Sequence, residues 1–111
     1  MSSKGTASFI FLRITGALLL PLVVWLLFSF VSHAGDSYEE VRAWLSDGVA
    51  AIPMGALFLF AALHMRAGAS DVIHDYIHSG VRGTILMLNW LAAIAIAAAG
   101  LWSIYQLAFA G

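Results

Sequence analysis

Residues 14–35, 48–65 and 83–111 contain no Asp, Glu, Lys or Arg, and the charges of the chain lie before the first run and between the three. The runs do not alternate polar and apolar positions as the strands of a membrane barrel do. A hydrocarbon core about 30 Å thick is crossed by roughly 20 helical residues, within a range of about 17 to 25, so each run is long enough to span. Only helices and closed barrels satisfy their backbone groups in lipid. The pattern therefore predicts an all-α membrane protein with three transmembrane helices at approximately 12–34, 46–72 and 82–108. Pro21 falls inside the first helix and predicts a kink, whereas Pro53 lies near the start of the second, where a missing N–H costs little. No repeat, linker or low-complexity tract divides the chain, which reads as one transmembrane anchor domain, 1–111.

Composition supports this reading. Hydrophobic residues make up 62% of the chain and charged residues 10%, against about 25% charged in soluble domains, which excludes disorder and argues against a water-soluble fold. A signal peptide competes for the first run. From Ile14 to Ser32 that run is longer than the roughly 7 to 15 residues of a signal core, and no clean small-x-small site follows it, so it is read as a helix. With no cysteine, the chain has no disulfide or thiolate metal site, and any redox chemistry needs borrowed cofactors.

Lys4 and Arg13 precede the first uncharged run, Arg66 and Arg82 bracket the end of the second helix, and Arg42 alone sits in the acidic first loop. Positive charge stays inside, which places the N-terminus and residues 66–82 on the cytoplasmic or matrix side. Tyr38, Trp44, Trp102 and Tyr105 are placed as interfacial anchors, and Trp25 and Trp90 as deeper packing residues. Ala92, Ala93, Ala95, Ala97, Ala98, Ala99 and Gly100 permit close backbone approach and favour partner helices, hence a multi-subunit complex.

The chemistry concentrates between His64 and Arg82. His64, Gly68, Asp71 and Asp75 recur at helical spacing on one face, with Asp75 roughly 16 Å along the axis from His64. An ionisable residue in a span is a functional candidate. A neutral imidazole ligates haem iron, and Gly68 leaves room for a flat macrocycle; alternatively, His64 bonds a neighbouring helix or reaches the interface. His74 and His78, with Asp71, have metal-compatible spacing, but such a pair in a polar loop is also simply solvated. Tyr76 beside Asp75 suits a quinone carbonyl and its protons, or an aromatic belt. Arg13 suits a haem propionate or a lipid phosphate.

Taken together, His64-x3-Gly68-x6-Asp75-Tyr76, the following Ile77-His78-Ser79-Gly80, the three spans and the Phe-Ile-Phe-Leu-Arg13 entry resemble the small hydrophobic membrane-anchor subunit, D-type, of succinate dehydrogenase (respiratory complex II). The resemblance covers the whole chain in topology and the 64–80 segment in motif. It implies that His64 is an axial ligand of a haem b iron shared with a companion three-helix cytochrome b anchor subunit. It also implies that Tyr76 hydrogen-bonds ubiquinone, that Asp75 lies in the proton path, and that Arg13 lies near the haem propionates or the quinone region. Its partners would be that companion, an iron–sulfur subunit, a flavoprotein subunit and the lipid bilayer, with no nucleic acid. A bacterial inner membrane is the expected location, and the mitochondrial inner membrane the alternative. Arg66, Asp71 and His74 depart from the residues usual in that family. Two other readings compete: a cofactor-free structural anchor, and a small transporter, for which no span offers a mid-membrane carboxylate.

Overall fold

The computed structural model describes residues 3–110, with side chains from residue 5 onward; the Lys4 side chain, one of the N-terminal positive charges, lies outside the described residues. Four helices follow in order: α1 (Ser3–Ser32), α2 (Tyr38–Ser46), α3 (Ala51–Tyr76) and α4 (Arg82–Ala108). Among the described residues there is no strand. Three helices are long and apolar enough to cross a membrane, over Gly5–Ser32, Ala51–Tyr76 and Arg82–Ala108. Phe28, Phe30, Leu20, Ile94 and Trp102 are among the many large apolar side chains exposed on the chain, an arrangement water would not tolerate but lipid or a partner chain would. The protein is therefore an all-helical membrane protein.

The first helix begins well before residue 12, because Gly5 to Leu12 contains nothing that stops a helix, and α1 continues unbroken through Pro21. Within the acidic first loop expected between the first two spans, the chain forms α2. Its signal was present: Ser37 accepts a hydrogen bond from the Glu40 backbone N–H while Glu40 reaches back to the Ser37 N–H, a reciprocal capping box. Gly35 (φ 89°) and Gly48 (φ 85°) supply the left-handed turns on either side of α2.

α3 is central, packing against both α1 and α4, while α2 lies on α4. The α1–α3 contact is antiparallel and in step, with Ser8 at Asp71, Leu12 beside Gly68 and Thr15 at His64. The α3–α4 contact is equally regular. Asn89 Nδ2 donates to the Arg66 carbonyl at 2.9 Å, and a Cβ built on Gly100 would overlap the Phe58 ring. The small residues of α4 thus divide, with Ala93 and Gly100 buried and Ala92, Ala95, Ala98 and Ala99 exposed.

The apolar core gathers at the end remote from the α3 polar segment. Leu45, Ala50, Ala51, Ile104 and Ala108 are buried there beneath Trp25, Trp44 and Phe58. Trp25 stacks on Trp44 at 6.0 Å, so Trp44 packs inward while Tyr38 remains exposed. Arg42 Nε donates to the Leu107 carbonyl at 3.2 Å, satisfying one of the carbonyls left open at the end of α4 and placing a positive charge at its negative dipole end.

Candidate functional site

His64 sits on the face of α3 turned to α1. Its Nδ1 lies 2.8 Å from Thr15 Oγ1. Thr15 is 4% exposed, and its hydroxyl also lies 2.8 Å from the Phe11 carbonyl oxygen, the back-bond a helical threonine makes to the preceding turn. A carbonyl only accepts, so the hydroxyl proton goes to Phe11. Thr15 Oγ1 must then accept from His64 Nδ1–H. This puts a proton on Nδ1, so that the neutral form of the ring carries its lone pair on Nε2, where a metal can be ligated.

One glycine stands against the ring. A Cβ on Gly16 would stand 3.4 Å from His64 Cε1, at the near limit of ordinary contact, so glycine there gives the imidazole edge a little extra room. Gly68 is different: a Cβ there would meet only Leu12 Cδ2, at 3.9 Å, an ordinary contact. Packing within this chain therefore does not require glycine at 68, in contrast to Gly100.

Asp71 and Asp75 follow on the same face. Ser8 Oγ donates to Asp71 Oδ1 at 3.0 Å across the helix pair. A cavity of about 600 Å³ opens here, lined by Gly5, Ser8, Arg66, Ser70, Asp71, His74 and Asp75. Arg66 lays its guanidinium over the Trp90 ring, 4.0 Å from the centroid, and its Nε is buried without a hydrogen-bond partner.

The remaining candidates lie apart. Tyr76 is 80% exposed and does not line the cavity, although it adjoins Asp75 in sequence. Arg13 is exposed, with its guanidinium 4.9 Å from the Phe9 ring centroid; the α1–α3 register sets it level with Arg66. His78 lies beyond the end of α3, with Nε2 3.0 Å from the Asp75 carbonyl oxygen. Among the described residues no three His, Asp or Glu side chains gather as a metal site, and the spacing of His74, His78 and Asp71 does not translate into one.

Thr15 and Ser8 are site residues to which sequence patterning assigns no role, and Trp90, expected as a packing residue, is also the ring on which Arg66 rests. Thr15 and His64 are 49 positions apart, and no local spacing announces a contact between two helices.

Fold and site together define a class: a three-span helical membrane subunit with an oriented histidine and a polar, carboxylate-bearing cavity at one end. Comparison with protein families carries this further, since residues 1–101 match the succinate dehydrogenase/fumarate reductase transmembrane subunit, and the chain belongs to that family. No curated protein and no solved structure matches the chain significantly. As a member of that family, the chain is a membrane subunit of a multi-subunit enzyme complex.

Proposed function

We propose that this chain is the smaller, D-type anchor of a succinate:ubiquinone oxidoreductase in a bacterial inner membrane, with its N-terminus in the cytoplasm. In this reading it shares a haem b and part of the ubiquinone-reduction site with a companion cytochrome b anchor subunit, and it receives electrons that flavoprotein and iron–sulfur subunits withdraw from succinate. The observation that carries the reading is the Thr15–His64 pair, which leaves Nε2 as the free basic nitrogen of an in-membrane histidine. Gly68 supports it, because its missing side chain has no explanation within the chain and leaves α3 open to a flat ring.

Haem b supplies a one-electron relay inside the bilayer. This chain's part is to hold the iron through His64, to fix the ring through Thr15, and to offer Arg13 to a propionate. At the quinone, reduction to quinol takes two electrons and two protons. The Tyr76 phenol donates a hydrogen bond to a quinone carbonyl, and the Asp75 carboxyl, at the water-facing end of the polar segment, hands protons inward. Exposure of Tyr76 suits a pocket whose other wall comes from neighbouring subunits.

The test is a reduced-minus-oxidised visible spectrum of the purified complex together with Tyr76→Phe. A b-type band is expected in the wild type. Tyr76→Phe removes that one hydrogen bond and should lower quinone reduction about 10- to 100-fold while succinate oxidation with an artificial acceptor is retained. A complex without a b-type band, or equal loss of both activities, overturns the reading.

A further inference from the structure

Arg66 presents an unresolved electrostatic demand. Its guanidinium rests on Trp90 and its Nε is buried without an acceptor, although buried guanidinium N–H groups are normally paired. The carboxylates nearest along α3 do not answer it: Asp71 takes its hydrogen bond from Ser8, and Asp75 lies nine residues, roughly 13 Å, further along the axis.

The level of Arg66 indicates what would answer it. The α1–α3 register sets Arg13 at the same level, and Asn89 bonds the Arg66 carbonyl from α4. Beyond this band, α1 runs without charge from Ile14 to Ser32, roughly 28 Å of helix and close to one hydrocarbon thickness. Arg66 therefore marks the hydrocarbon boundary, where lipid phosphates lie. The polar segment with Asp71 and Asp75 projects outward into the headgroup layer.

An apolar groove runs in the other direction. Trp90, on which Arg66 rests, lines a cavity of about 310 Å³ between α3 and α4, along with Leu63, Ala97 and Leu101. Leu59 and Leu101 also line the next cavity along the same helix pair. A polar chamber, an arginine at the boundary and an apolar channel between helices thus succeed one another along the membrane normal.

We infer that this surface holds a bilayer phospholipid with a zwitterionic, primary-ammonium headgroup, its phosphate on Arg66, its ammonium at Asp71, and one acyl chain in the α3–α4 groove. The charge order matches such a head, with the phosphate inward and the ammonium outward. An anionic headgroup would satisfy Arg66 but bring further negative charge against two carboxylates. A trimethylammonium head has no N–H with which to bond Asp71. The site is separate from His64 and Thr15, so it stands whether or not those residues hold haem.

The test uses the intact complex reconstituted into nanodiscs of equal parts phosphatidylethanolamine, phosphatidylglycerol and phosphatidylcholine, re-extracted in mild detergent, with retained lipid quantified by mass spectrometry. Wild type should retain phosphatidylethanolamine about tenfold over the other two, the scale of a charge-assisted hydrogen bond. Arg66→Gln should abolish the enrichment. Asp71→Asn, isosteric and able to keep the Ser8 contact, should shift retention toward phosphatidylglycerol, which provides a second reading if Arg66→Gln fails to assemble. Enrichment of another lipid by the wild type, retention of quinone instead of lipid, or an unchanged profile in either variant overturns the inference.

Discussion

Thr15 shows how much one hydroxyl can determine in an apolar helix. Its proton is committed to the Phe11 carbonyl, so its oxygen can only accept from His64, and that choice fixes which imidazole nitrogen stays free. Residues that orient a ligating histidine through its second nitrogen typically affect metal retention 10- to 100-fold. Thr15→Val should therefore reduce the haem content of the purified complex about tenfold, while Thr15→Ser preserves it. Equal haem content in Thr15→Val would remove this role. At this scale His64, Gly68, Asp71 and Asp75 were legible in the sequence, because a helix turns local spacing into a shared face. Thr15 and Ser8 were not, since their significance depends on the register between two helices. Trp90 was legible as a packing residue, but not as the seat of the Arg66 guanidinium.

At the scale of elements, the three spans were legible from length and charge alone, and α2 was legible only from its capping box. The glycines of α4 show where pattern stops being informative. Gly83 and Gly100 look alike in sequence, yet a Cβ at 83 meets nothing within 4 Å while one at 100 overlaps Phe58. Gly100→Ala should destabilise the detergent-solubilised protein by about 1–3 kcal/mol through overpacking, seen as a lowered Tm. Gly83→Ala should leave Tm unchanged or raise it, because the helix gains alanine in place of glycine. A Gly100→Ala protein as stable as wild type would mean that Phe58 has room to move aside.

At the scale of the molecule, α3 carries the chemistry because it stands between the other two spans. One side of it meets α1 at Thr15 and Ser8, and the other meets α4 at Asn89 and Trp90. The absence of native cysteine makes orientation directly measurable. With the N-terminus and the α3–α4 loop inside, Ser79→Cys should be protected from an impermeant maleimide in spheroplasts and labelled in inverted vesicles. Ala43→Cys on α2 should show the opposite, and the reverse pattern would invert the proposed topology.

The sequence by itself determined the membrane environment, the three spans, the segment that holds the titratable groups and the family resemblance. These follow from hydropathy, charge placement and local spacing, which need no knowledge of what lies across the bundle. Tertiary structure decided the His64 tautomer, the separation of Tyr76 from the cavity, the unanswered demand of Arg66 and the reason for glycine at 100. Each of these depends on contacts between residues distant in sequence, and such contacts are set by how helices approach and register against one another.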